Sequence, residues 1–364
     1  MLRWHYRSRS ESLIAYSNHA FYGARLATVP DRDVVDAVRP EIVAEDAADA
    51  RHHVAAISDR PISFHRIANG VYEHRRNEAE ADYVAELVRA VLLENERAQN
   101  EQLTIGVVAF SEAQQGAIEE SLAELAVIDP AFGAMLEAEQ VRSIDGEYVG
   151  MFVKNLENVQ GDERDLIIMS VCYAPQADGK MRMNFGPINQ AGGERRLNVI
   201  FSRAKKHMAI ISTIDSTAIT NTHNDGAAHL ARFLSYAAAE SVGDDRGVAV
   251  LHSLAPSDGR DANPSSLSAV AAELCEALRR RGWTVDTGIG RSGFNIDVAV
   301  QGPEGYQLGV LLDPGTADTT ATARGIAEAG VLRAFGWQIK RVLVSEWWLD
   351  PDAVVDRIEH SLRR

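Results

Sequence analysis

Arginines bracket a short helical segment in ERRLNVIFSRAKKHMAIIST, residues 194–213. Arg195 and Arg196 precede the apolar Leu197, Val199 and Ile200, and Arg203 follows Arg196 at i+7, a spacing that puts two guanidiniums on one helix face. A guanidinium is planar and always charged, and it grips an oxyanion through two parallel bonds. Arginines so placed recur at transferring phosphoryl groups. Standing alone, the segment also fits a solvated basic helix edge. Arg196 is explained equally by a salt bridge to Glu194 or Asp162. A second polar group comes earlier, in MFVKNLENVQGDERDLIIMSVCYAP, residues 151–175. There the Gly161 turn and Glu163 stand directly ahead of an apolar strand, where a loop can face the crevice of an α/β sheet. A carboxylate in that place can accept bonds from ribose hydroxyls, although an ordinary polar turn has the same composition.

The elements that must position these groups follow from periodicity. Residues up to 22 read as an amphipathic helix with Leu13, Ile14, Phe21 and Tyr22 on its apolar side. An acidic, Ala-rich stretch over 31–60 reads as a surface excursion. ISFHRIA is a short strand, NEAEADYVAELVRAVLLEN a helix capped by Asn77, and EAQQGAIEESLAELA another helix. TIGVVAF, FVKNLENV, DLIIMSVCYA and HMAIIST supply further strands, three of them apolar enough to be buried on both faces. Strands alternating with helices predict a doubly wound parallel α/β domain over 1–237. Residues 238–264 combine Gly, Pro, Ser and Asp and are expected to be a linker. Residues 265–364 give the order αβββαβα, that of a smaller restriction-endonuclease-like domain.

Composition narrows the function. A chain of 364 residues is long enough for two domains, each with its own core. No apolar run reaches bilayer length and the start MLRWHYRSRS lacks a signal-peptide stretch, so a cytoplasmic protein with no membrane partner is expected. Cys172 and Cys275 have neither disulfide nor zinc spacing and read as core residues. A net charge of −15 argues against general coating of nucleic acid, whose phosphates demand cations. Positive charge is instead gathered at 3–9, 75–76, 195–206 and 279–281, which suits a local site on an acidic body.

Taken together, the motifs resemble one family. VQGDERDLIIMS is similar to motif V of superfamily 1 helicases and RRLNVIFSRAK to their motif VI. LRWHYRSRSESLIAYSNHAFY resembles the motif in which a Tyr-Arg pair opens the second RecA-like domain. The likeness is to the RNA-surveillance branch, and within it to large bacterial helicases that end in a Vsr-like nuclease domain. It implies that Arg203 and Arg7 reach the γ-phosphate of ATP, and that Gln160, Gly161, Glu163 and Arg196 contact the nucleotide. Tyr6 then packs. In the tail, SGFNIDVAV and YQLGVLLDPG resemble the nuclease strands, so that Asp297 and Asp313 match acids that hold Mg²⁺ and activate water.

Departures from the family are as informative as the matches. No G-x-x-x-x-G-K-[ST] loop occurs, so nothing cradles the β- and γ-phosphates, and no acidic Walker B pair follows an early strand. DGK at 178–180 has no glycine at the required offset. The chain is therefore expected to be the second motor domain plus a tail, unable to hydrolyse ATP alone. ATP and Mg²⁺ become cofactors only with a complementing half, for which a separate polypeptide carrying the Walker motifs is one expected source. Single-stranded or partly duplex nucleic acid, DNA ahead of RNA, is the expected substrate. In the tail, Leu311 replaces a customary glutamate and Pro314 a glycine, while TADTTATARG stands where further acidic and histidine positions are usual. A degenerate nuclease is expected. Two other functions remain open, a noncatalytic nucleic-acid-binding or assembly module and a stand-alone metal-dependent endonuclease.

Overall fold

Apolar runs with β-branched residues become strands, and the amphipathic runs between them cover both faces of the resulting sheet. The computed structural model describes residues 4–5, 7–34, 37–98, 101–254, 266–315 and 328–363. Two compact units emerge. One comprises Ser12–Phe21 and Ala37–Leu254, the other the described residues within Met1–Glu11, Tyr22–Asp36 and Ala255–Arg364.

The larger unit begins with α1 (Ser12–Tyr22), β1 (Ile42–Ala44), α2 (Ala50–His53), α3 (Ala55–Asp59), β2 (Ile62–Ile67) and α4 (Glu78–Arg97). It continues through β3 (Ile105–Ala109), α5 (Glu112–Ile128), α6 (Pro130–Gln140), the hairpin β4 (Ser143–Ile144) and β5 (Glu147–Tyr148), and β6 (Phe152–Asn155). Last come β7 (Arg164–Ser170), α7 (Gly193–Phe201), β8 (Ala204–Ser212), α8 (Asp225–Val242) and α9 (Arg246–Leu254). Six strands form a parallel sheet in the order β1-β2-β8-β7-β3-β6. Alternate residues of each strand enter opposite cores. Ile167, Met169 and Ile210 join Tyr16, Leu197 and Phe233 on one face, whereas Leu166, Ile168 and Ile211 join Tyr83, Leu87 and Ile118 on the other. Each fully buried Leu or Ile contributes roughly 2 kcal/mol of transfer free energy, so two covered faces anchor the strand ends that carry polar groups.

Two expectations change. The acidic stretch 31–60 is no mere excursion, because Ile42–Ala44 supplies the edge strand beside β2 and Ala50 and Ile57 are buried. Three residues are too few for periodicity to reveal a strand. The stretch 238–264 is helical through α8 and α9 as far as residue 254, with Gly243 at φ 74° turning the chain between them and Leu251 buried. Residues 255–264 lie outside the described set.

The smaller unit contains α10 (Ser266–Arg280), β9 (Val285–Ile289), β10 (Ile296–Gly302) and β11 (Gly305–Asp313). These are followed by α11 (residues 328–334), β12 (Ile339–Leu343), α12 (Val344–Leu349) and α13 (Pro351–Leu362). Its sheet runs β12-β11-β10-β9, antiparallel except for the parallel pair β11 and β12. Residues 28–32 belong to this unit. Val29 enters its core beside Ile296 and Trp337, the Trp337 indole donates to Pro30 O at 2.9 Å, and Tyr306 N donates to Arg32 O at 2.7 Å. Trp337 and Trp347 are buried as core residues, Trp283 is half-buried, and Trp348 is 63% exposed. Cys172 and Cys275 are free and buried. No helix among the described residues is long and apolar enough to cross a membrane.

Candidate functional site

Arg164 opens β7 and Ala204 opens β8, and the two are register partners. The residues just ahead of them, Glu163 and Arg203, therefore stand at adjacent strand entrances. Gln160 and Gly161 lie in the same loop as Glu163. Gly161 has φ 95°, a conformation that favours glycine, and open space surrounds its Cα, so backbone freedom rather than crowding explains its presence. Lys154 from β6 holds Asp162 at 2.7 Å and so braces this loop. Arg164 braces it from the other side. Its buried guanidinium donates to Glu163 O at 2.7 Å and to Gly150 O at 2.7 and 3.1 Å, and lies over the Tyr148 and Phe152 rings. Glu163 and Arg203 thus stand at the amino edge of the sheet, opposite the carboxyl-edge crevice where the sequence placed the loop.

Helix α7 leads into β8 at that edge. It is fixed by Leu197, Ile200 and Phe201, all buried, and by stacking of Phe201 on Phe233 at 3.5 Å. Gly193 is obligatory at its start because a Cβ there would overlap Ile188 O. The helix ends at Phe201, with Ser202 as its cap, so Arg203 lies beyond it and the i+7 argument for a shared helix face fails. Arg203 instead folds back, Nε donating to Val199 O at 2.7 Å. Arg196 donates to Pro187 O at 3.2 Å. The carboxylates expected to explain Arg196 are engaged elsewhere, Glu194 with Arg195 at 3.6 Å and Asp162 with Lys154. Arg7 is exposed and belongs to the smaller unit, and Tyr6 lies outside the described residues.

At the carboxyl edge the sequence reading missed a buried acid. The Glu80 carboxylate receives Cys172 N at 2.8 Å, Ser170 Oγ at 2.9 Å, Thr213 N at 2.9 Å and Thr213 Oγ at 3.0 Å. Burial pushes its pKa up to about 7, against the opposing pull of those donors. Gln114 completes the cluster, accepting from Asn77 N at 2.7 Å and donating to Ser170 Oγ at 3.0 Å. Asn77 followed three residues later by Glu80 is a helix-start pattern that would have exposed it.

The acids of the smaller unit do not assemble a metal site. Strand alternation puts Asp297, Leu311 and Asp313 on one face, but Asp297 accepts from Leu312 N at 2.8 Å and Asp313 is ion-paired with Arg341. Burial raises the pKa of Asp297, which disfavours the anion that a cation would need. Leu311 offers no oxygen. Among the described residues no group of three or more His, Cys, Asp or Glu could hold a metal, and these residues do not fit Mg²⁺.

The larger unit is a six-stranded parallel α/β sheet and the smaller a four-stranded mixed sheet. The chain belongs to the AAA domain family AAA_12, of the superfamily 1 helicase type, which matches residues 1–215, and a restriction-endonuclease-like family, REase_MTES_1575, matches 271–362. The chain is 26% identical over its whole length to 30% of a Mycoplasma pneumoniae protein described as an uncharacterized ATP-dependent helicase MG140 homolog. It is 32% identical over 58% of its length to 16% of the Mycoplasma genitalium protein described as uncharacterized ATP-dependent helicase MG140. It thus spans less than a third of either relative. Two solved structures share weak likeness. The C-terminal domain of a possible DNA helicase from Lactobacillus plantarum aligns over 57% of this chain and 87% of its own, at 16% identity and TM-score 0.27. The HK97 bacteriophage large terminase aligns over 92% and 74%, at 12% and 0.30. Neither score bears an argument.

Proposed function

We propose that this chain is the arginine-finger half of a superfamily 1 ATP-dependent helicase motor, which turns over ATP only beside a half that carries the Walker motifs. The observation that supports it most is the register of β7 and β8, which sets Glu163 and Arg203 side by side on a braced edge. Arg203 would contact the γ-phosphate and stabilise charge as the phosphoryl group transfers, and Arg7 would be the second such contact. Gln160, Gly161 and Glu163 would meet the nucleotide. Arg196 has a smaller part, since its bond to Pro187 O ties α7 to the preceding loop. The substrate would be Mg²⁺-ATP, with single-stranded or partly duplex nucleic acid, DNA ahead of RNA, as the polymer. The missing half could be another polypeptide or another segment of a longer chain. The test is ATPase in a preparation that includes that half. Arg203→Ala should cut turnover by about a thousandfold and spare nucleotide binding, and unchanged turnover would end the assignment.

A further inference from the structure

Arg7 sits in an alternating segment, with Arg7 and Arg9 exposed and Ser8, Ser10 and Glu11 buried. The buried side is fastened within the smaller unit. Ser10 Oγ donates to Asp31 at 2.9 Å and Glu11 N donates to the same carboxylate at 2.8 Å. The Glu11 side chain accepts from Arg291 N at 2.8 Å and from the Thr28 hydroxyl. Thr28 N in turn donates to Ser292 Oγ at 3.2 Å. An apolar contact accompanies these bonds, Trp4 packing on Phe294 with ring centroids 5.1 Å apart. His5 N donates to Ala27 O at 2.9 Å, so the two amino-terminal pieces also hold each other. The loop they grip, residues 290–294, leads directly into β10 and Asp297.

From this geometry we infer that the endonuclease-like unit is the mount for Arg7, and that Glu11 is the positioning residue that fastens the arginine-bearing segment to the Arg291 loop. The inference rests on the phosphate-contact reading of Arg7 for its consequence in ATP turnover, but the mount itself stands on the contacts above. It gives a unit whose acids do not fit a metal a part in the motor that requires no cleavage. Glu11 is suited to the task because a buried carboxylate with fixed donors tolerates little displacement. A carboxylate left without them, or donors left without it, carries an uncompensated desolvation cost.

Hydrogen exchange of the full chain tests the mount. Glu11→Ala should speed exchange of amides in 7–11 and 28–32 by about tenfold or more while the strands β3, β7 and β8 keep their protection. Glu11→Gln, whose amide oxygen still accepts both bonds, should stay close to the parent. Unchanged protection of 7–11 in Glu11→Ala, or loosening spread equally into the larger sheet, would overturn the inference. Ser292→Ala, a milder change, should loosen 28–32 in the same direction and guards against a Glu11 variant that fails to fold. With the ATP-binding half present, Glu11→Ala should lower kcat as Arg7→Ala does, with the ATP KM held and the double variant no worse than either single one. If Arg7→Ala leaves turnover intact while exchange behaves as expected, the phosphate role of Arg7 falls and the mount stands.

Discussion

Glu163 and Arg203 enter the sheet side by side, because the residues that follow them, Arg164 and Ala204, are paired across β7 and β8. Neither lies in the strand itself, and neither is carried by a helix. Arg203 is held by its bond to Val199 O, and Glu163 by the bond its own carbonyl accepts from Arg164. Residues placed by strand register keep their backbone spacing as long as the sheet survives.

That arrangement predicts a separation of chemistry from stability at Arg203. Substitution by alanine should reduce ATP turnover of the complemented motor by about a thousandfold, the scale of arginine-finger losses. The melting midpoint should shift little, since a side-chain bond such as that to Val199 O is worth about 1 kcal/mol. Steady-state kinetics and calorimetry on one preparation would check both.

Gly193 should admit no side chain. Alanine there would drive a Cβ into Ile188 O, and the displacement of α7 should cost about 3 kcal/mol. Gly161→Ala has open space but a left-handed backbone, so its cost should be nearer 1 kcal/mol. Chemical denaturation of the two variants would rank them.

Glu80 should give the larger unit a pH-dependent stability. Its folded pKa of about 7 lies above the unfolded value of 4.5, so between these limits the folded state binds more protons. Stability contributed by the protonated carboxyl is then complete below pH 4.5 and declines as pH rises to about 7. Glu80→Gln should flatten that decline, which urea titrations at several pH values would measure. A parent and variant with the same slope would contradict the assignment.

Magnesium should leave the smaller unit indifferent. Asp313 is committed to Arg341 and Asp297 to Leu312 N, so neither Mg²⁺ nor EDTA should move the melting midpoint of the chain, because a ligand stabilises only what it binds. Asp297→Ala should not alter any background cleavage of DNA. A midpoint raised by Mg²⁺ in the parent and not in Asp297→Ala would reverse this view.

Much of the fold was legible because buried parallel strands announce themselves as β-branched runs. DLIIMS and TIGVVAF appear as β7 and β3, and Asn77 caps α4 by accepting from Glu80 N. What escaped was set by distance along the chain. Three residues at Ile42–Ala44 carry no periodicity, and their strand exists because β2 offers it a partner. The placement of Arg203 depends on where α7 stops, and helix ends are decided by caps and packing more than by spacing. The carboxylate cluster around Glu80 joins residues 77 to 213, a conjunction that only the closed sheet creates. Nothing local in RSRSES discloses that Glu11 meets a loop some 280 positions later.

That last separation has a consequence for synthesis. The chain leaves one unit for the other after Glu11, Phe21, Asp36 and Leu254. Trp4, Thr28 and Val29 leave the ribosome roughly 260 to 290 residues ahead of their partners Phe294, Ser292 and Ile296, a delay of roughly 10 to 60 s at ordinary elongation rates. During that interval the larger sheet can close around α1 while the segments on either side of it stay unsatisfied. Nascent protein stalled before residue 290 should therefore expose an apolar tryptophan and valine that holding chaperones recognise, and release of the last strands should hide them.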